Sequence, residues 1–326
     1  MRDSKGMLKI IGKIILFLGI LAVILLVISK IIGQACLKDD SIVHDRNKSV
    51  YRIAKQPEQT LDMVVLGDSI TYYAFSPMQM YIDYGIAGFV CGQPGQKIQE
   101  SYIMLEHVFE RQSPKLVILE TDNLFMWNEE GKLANLKDTG KEWLKDNFDL
   151  VRSHDTWKSL FAGKEYPEEN YKGLIYIEYA TPTENVPYMI ETEETREVLP
   201  VAKEYTCKIK DLCDEHGAQL LLVSAPSLID YNYPMHNGAA KFANELGVPY
   251  LDMNLINDEI GIDWMTDTFD NGDHLNISGA TKVSNYLGNY LKENYDLPDR
   301  RGDAAYADWD DEAMIYQERV ASSGVL

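Results

Sequence analysis

An α/β architecture is the fold class this sequence predicts: a three-layer α/β/α sandwich around a mainly parallel five-stranded sheet, preceded by one transmembrane helix. Three observations predict it. Short apolar runs recur along the chain with longer amphipathic patterns between them, several runs end in small polar turns, and one long apolar stretch near the N-terminus carries no charge. The composition is that of a folded chain. Its 326 residues are 45% hydrophobic and 25% charged with 22 glycines and 12 prolines, which excludes collagen-like and low-complexity architectures.

Taken in order, the first element is the apolar stretch. Residues 14–29 lie uncharged between Lys13 and Lys30, and the stretch widens to 10–32 if the flanking lysines extend toward the interface. That is long enough to span a bilayer. The formal net charge is -20, yet residues 1–38 carry six Lys and Arg against one Asp, so the body carries about -25. Arg2, Lys5, Lys9 and Lys13 ahead of the span place the N-terminus inside and the body outside the cytoplasm. A body this acidic repels nucleic acid. A cleaved signal peptide and a lipoprotein signal at Cys36 are the competing readings. The apolar core is long for the first, and Gly33-Gln34-Ala35-Cys36 lacks the large aliphatic residue expected for the second. Residues 1–33 are thus read as cytoplasmic N-terminus and anchor.

Residues 34–60 show no sustained period and read as a juxtamembrane linker; the main domain is expected over 61–296. Strand-like apolar runs fall at 63–66, 86–91, 115–120, 219–224 and 248–252, with helical periods at 97–111, 195–216, 239–246 and 279–294. Residues 125–194 are too long for a bare connection and predict a helical insertion or lid, with Trp127, Trp143 and Trp157 as candidate sugar-stacking groups. Residues 297–326 read as a polar, acidic tail, and Arg301-Gly302-Asp303 within it is a tripeptide of no specificity. The cysteines at 36, 91, 207 and 213 form no disulfide framework. The last three read as buried small residues, and no Cys/His spacing suggests a metal.

The chemistry-bearing residues stand at strand ends. The run at 63–66 passes into Gly67-Asp68-Ser69-Ile70-Thr71, which puts Ser69 beside a helix N-terminus at the edge where open parallel sheets bind ligands. The plainer reading of the same turn is a helix cap. A serine hydroxyl needs a base, and the base needs a carboxylate to fix its tautomer. His44, His107, His154, His216 and His236 fall in the linker, helices, the insertion or a loop with ordinary roles. His274 differs. It sits in Asp270-Asn271-Gly272-Asp273-His274-Leu275-Asn276, after the last strand and before the last long helix, on the edge that carries Ser69.

Gly67-Asp68-Ser69-Ile70 early and Asp273-His274-Leu275-Asn276 late resemble the first and last blocks of the SGNH, or GDSL, esterase and acyltransferase superfamily. The resemblance covers residues 61–296 and implies a flavodoxin-like SGNH fold. Gly92-Gln93-Pro94-Gly95-Gln96 is similar to the second block and implies Gly92 as an oxyanion-hole donor. The third block, usually Gly-x-Asn-Asp, is here Glu120-Thr121-Asp122-Asn123. Aligned without a gap, Asp122 takes the asparagine's place and would repel an oxyanion; shifted by one residue, Asn123 supplies the donor. The last block has Asn271 where an aspartate is usual, so the triad acid is Asp273 or, as the alternative, Asp270.

Closer still, the chain resembles membrane-anchored SGNH-like proteins of bacterial envelopes, the D-alanine transfer and alginate acetylation types. Ser224-Ala225-Pro226-Ser227, followed by Tyr231, Asn232 and His236-Asn237, is similar to their sheet-edge loop. The resemblance implies an extracytoplasmic, cofactor-free esterase or O-acyltransferase that acylates Ser69. Its expected substrate is an acylated glycan or envelope polymer, and its expected partner a membrane-bound O-acyltransferase. An envelope esterase that only hydrolyses, a catalytically inactive glycan- or partner-binding module, and an envelope scaffold are the alternatives.

Overall fold

In the computed structural model, which describes residues 4–126 and 131–323, the five apolar runs become five parallel strands. The elements in chain order are α1 (Ser4–Lys38), α2 (Lys48–Ala54), β1 (Met63–Gly67), α3 (Ser69–Ala74), α4 (Pro77–Tyr84), β2 (Gly88–Gly92), α5 (Ile98–Arg111) and β3 (Leu116–Glu120). The insertion follows with α6 (Lys132–Asn147), α7 (Asp149–Arg152), α8 (Thr156–Ala162), β4 (Asn170–Tyr171) and β5 (Leu174–Ile175). Then come α9 (Pro200–His216), β6 (Gln219–Ser224), α10 (Tyr233–Leu246), β7 (Tyr250–Asp252), α11 (Asn257–Ile260), α12 (Ile277–Asn294) and α13 (Ala307–Ser323).

The sheet order is β2-β1-β3-β6-β7, the flavodoxin-like doubly wound order, and β4 and β5 form a separate antiparallel hairpin. Helices cover both faces, so the strands are continuous apolar runs rather than alternating ones. Val64, Leu66, Val117, Leu119, Leu220 and Leu222 face one layer, built from α5, α9 and α10. Met63, Val65, Leu116, Ile118, Leu221 and Val223 face the other, built from α3 and α12. Strand order reverses at β1, between β2 and β3. The crevice outside those strands' carboxyl ends is where such sheets take ligands.

Local chemistry sets the helix starts. Asn276 caps α12 by accepting from the Ser278 and Gly279 N–H groups. Pro200 at its first turn opens α9 five residues later than the apolar period suggests, and Asn232 opens α10 six residues earlier than expected.

Three boundaries differ from expectation. Residues 34–60 are no linker: α1 runs unbroken to Lys38, and α2 buries Tyr51 and Ile53 against the body. The segment read as a tail, 297–326, is no free tail over its described residues 297–323, since α13 buries Trp309, Ala313, Tyr316 and Val320, and the Arg300 guanidinium grips Asp62 through two hydrogen bonds of 2.7 and 2.8 Å. Nor is Arg301 free, because Asp299 and the Ile82 and Asp83 carbonyls hold it. The insertion is helical only to Ala162; beyond the hairpin it runs extended along the β7 side, donating from Thr181 N to Thr268 O and from Thr183 N to Trp264 O. The cysteines are all free. Cys36, Cys91 and Cys213 are buried and Cys207 is exposed, which corrects its reading as a core residue.

Candidate functional site

The turn after β1 is a helix cap that also carries the candidate serine. Asp68 Oδ1 accepts from Ile70 N at 3.0 Å and so fixes the start of α3. Ser69 is the first helical residue, and its amide belongs to those a helix leaves unpaired. Gly92, paired with Gly67 across β1 and β2, closes on the same turn. A Cβ there would stand 2.9 Å from the Asp68 carbonyl oxygen and 2.9 Å from Tyr72 Cδ1, so only glycine allows this approach.

The last block forms a tight loop. Asn271 and Gly272 are successive left-handed residues with φ of 66° and 95°, and they fold Asp270 back onto His274. One Asp270 oxygen accepts from His274 N at 2.7 Å and the other lies 2.5 Å from His274 Nδ1. Asp273, placed first by the sequence, is 3.4 Å from Nδ1 and turns toward Asp230 instead. The correction has a physical cause: neighbours in an extended chain point apart, whereas a left-handed turn returns residue i to residue i+4. Burial, with help from Asp230, pushes the Asp273 carboxyl up to about 7, so it is a poor fixed anion. For His274, burial opposes the charge, but the Asp270 hydrogen bond and the charges of Asp273, Asp270 and Asp68 outweigh it and raise the imidazole above its usual value.

The two blocks meet through α3. The Tyr73 ring stands edge-on to the His274 ring at 5.1 Å, and Ser69 lies one helical turn before Tyr73 on the same face. His274 Nε2 is buried with no hydrogen-bond partner, leaving the imidazole's second nitrogen free for a proton. Ser227 Oγ donates to the Asp273 carbonyl at 2.9 Å and Leu228 N donates to the Gly272 carbonyl, so the loop after β6 braces the histidine loop.

The third block places its two residues apart. Asn123 is buried and its amide donates to Ser101 Oγ at 3.1 Å, within a chain that links Gln93, Gln96 and Ser101. The expected oxyanion donor is therefore tied into the support of the Gly92 loop. Asp122 is the residue that meets Asp68. Burial first, then the negative Asp68 and Glu120, push its carboxyl well above the usual range, and Glu120 is raised by burial and Asp68 in the same way. Burial and these neighbours thus favour the neutral form of Asp122 over the carboxylate that would repel an oxyanion.

A small cavity of about 80 Å³ adjoins Gly92, lined by Tyr72, Tyr73, Lys48, Arg52 and Glu168 among others. Arg52 pairs with Glu168 at 2.6 Å, and Lys48 donates to the Tyr166 carbonyl at 2.5 Å. These wall residues come from the segments read as linker and insertion, and no local spacing announces a pair 116 residues apart. Trp143 and Trp157 are exposed and do not line this cavity, while Trp127 lies outside the described residues. Among the described residues, the one cluster that resembles a metal set is Asp270, Asp273 and His274 themselves.

The fold and this site define a doubly wound α/β chain with a serine turn and a His–Asp loop at the carboxyl edge of the sheet. No family model and no curated protein matches the chain. Among solved structures it is similar to a lipase/acylhydrolase from Enterococcus faecalis, at 12% identity and a TM-score of 0.36, over 73% of this chain and 99% of that one. It is also similar to a GDSL-like lipase from Bacteroides thetaiotaomicron, at 10% identity and a TM-score of 0.37, over 80% and 97%.

Proposed function

We propose that the chain is a membrane-anchored SGNH/GDSL-type serine esterase or O-acyltransferase. The observation that carries this reading is the Asp270 carboxylate gripping both the amide and Nδ1 of His274, with Nε2 unpartnered beside the helix that Ser69 opens. Asp270 holds Nδ1–H and orients the ring, so that Nε2 takes the Ser69 proton as the hydroxyl attacks an ester carbonyl. The C–O bond to the departing alcohol breaks, that alcohol leaves with the proton from His274, and the acyl group rests on Ser69. Water or a second hydroxyl then takes the acyl group by the reverse sequence. The Ser69 and Gly92 amides stabilise the oxyanion, and a neutral Asp122 leaves that charge unopposed.

α1 is long and apolar enough to cross a membrane, and its charge bias supports a body held outside the cytoplasm. An acyl-bearing envelope glycan or polymer suits that location, and a membrane-bound O-acyltransferase suits a donor role. The test is fluorophosphonate labelling of the full chain in detergent. Labelling lost in both Ser69→Ala and His274→Ala supports the reading. A folded chain that never labels overturns it in favour of an inactive glycan- or partner-binding module.

A further inference from the structure

A second cavity, of about 460 Å³, lies far from the serine turn in sequence and composition, between the last turns of α1 and the body. Leu37, Val50, Ile53 and Val108 give it an apolar wall, and Lys30 and Arg111 stand at it as cations. Two of its three acids are engaged: Asp149 accepts from the Tyr51 hydroxyl at 2.8 Å, and Asp146 is held by His107 and by Arg152 at 3.0 Å, while the third, Glu110, lies 3.4 Å from His107 Nδ1 with its side chain mostly in solvent. Lys30 is exposed and the Arg111 side chain is 41% exposed. Arg111 Nε lies 3.4 Å from Glu58 and Nη1 donates to the Ala54 carbonyl, which leaves Nη2 beside the exposed Lys30. An apolar wall with these remaining cationic donors fits a phosphate diester on a hydrocarbon stem.

The position of the cavity says where such a molecule comes from. The large apolar side chains of α1 are exposed from Met7 as far as Ile31, so the bilayer-facing surface ends beside Lys30. From Lys30 to Leu37 the helix rises about 10 Å, somewhat more than one headgroup layer. The cavity therefore opens at headgroup depth, directly above the hydrocarbon that α1 crosses.

We infer that this cavity binds one glycerophospholipid from the adjoining leaflet, its phosphate between Lys30 and Arg111 and its glycerol and upper chain against Leu37, Val50 and Ile53. The inference rests on the anchoring of α1 and is independent of the chemistry at Ser69. A lipid so held ties the body to the membrane at a second point.

The experiment reconstitutes the full chain in phosphatidylglycerol–phosphatidylcholine nanodiscs carrying a photoactivatable phosphatidylglycerol, and maps cross-links by peptide. Expected are labels on α1 and also on α2 or the end of α5, the latter reduced at least fivefold by Val50→Trp, which fills the cavity, and by Lys30→Glu with Arg111→Glu. Unchanged melting midpoints show that the variants fold. Labels confined to α1, or body labels indifferent to the variants, overturn the inference. Absence of labels on α1 itself overturns the anchor.

Discussion

His274 Nδ1 stands 2.5 Å from an Asp270 oxygen and 3.4 Å from one of Asp273, and the two distances predict two different mutants. Asp270→Asn loses the acceptor that fixes the tautomer, so the phosphonate labelling rate falls by about 10³–10⁴-fold. Asp273→Asn leaves it nearly unchanged. The proposed reaction needs neutral His274, whose pKa is raised, so the labelling rate is expected to climb with pH through a midpoint above the ordinary histidine value, and a rate–pH profile of Asp270→Asn to show that midpoint lowered. Asp122 has the opposite chemistry and a similar sign of linkage. Its folded pKa is raised, so the folded state binds the extra proton and loses stability as pH rises from the unfolded carboxyl value toward the raised one. Asp122→Asn removes that loss: its melting midpoint exceeds the native one at pH 8 by about 2–4 °C per kcal/mol relieved, and the gap closes in acid. Which of the two aspartates holds His274 was left open by the sequence, because the choice depends on a left-handed pair at Asn271 and Gly272 that only the folded loop displays.

Among elements, the sheet strands were the most legible. A strand buried on both faces announces itself as an unbroken apolar run, and the runs at 63–66 and 219–224 lie within or match the observed strands. α13 was missed for the converse reason. Its acidic composition masks a stripe in which Trp309, Ala313, Tyr316 and Val320 recur at helical spacing, and reading composition instead of period hides it. The stripe anchors α13 to the core: Trp309 packs 5.2 Å from the Tyr81 ring and beneath Lys172, and Ser76 Oγ donates to the Tyr316 hydroxyl at 2.9 Å. Trp309→Ala is expected to cost about 3–5 kcal/mol, a large share of a typical reserve of about 5–15, and a urea melt measures it. α2 was hidden differently, since Lys48 and Arg52 find their partners in the insertion and nothing within the helix foretells them.

For the whole molecule, the segment between anchor and sheet is a joint rather than a tether. Leu150 N donates to Ser29 Oγ at 3.1 Å, Gly33 lets Asp149 lie against the helix, and the buried Cys36 thiol meets Thr156 at 3.7 Å. Two trypsin sites inside it are shielded, with the Lys48 side chain 2% and Arg52 14% exposed, whereas Lys38 and Lys55 at its ends are open. Limited trypsinolysis of the full chain in detergent, followed by mass spectrometry, is expected to cut at Lys48 and Arg52 only as fast as the body unfolds. A flexible linker would be cut at both within the first minutes.

The unbroken course of α1 from apolar stretch to joint has a consequence for how the crevice is aimed. A helix held at both ends behaves as a keyed shaft. Each residue added between bilayer and joint turns the body by about 100° and lifts it by about 1.5 Å. Sequence length in that stretch is therefore a compass bearing for the Ser69 edge as much as a height above the membrane.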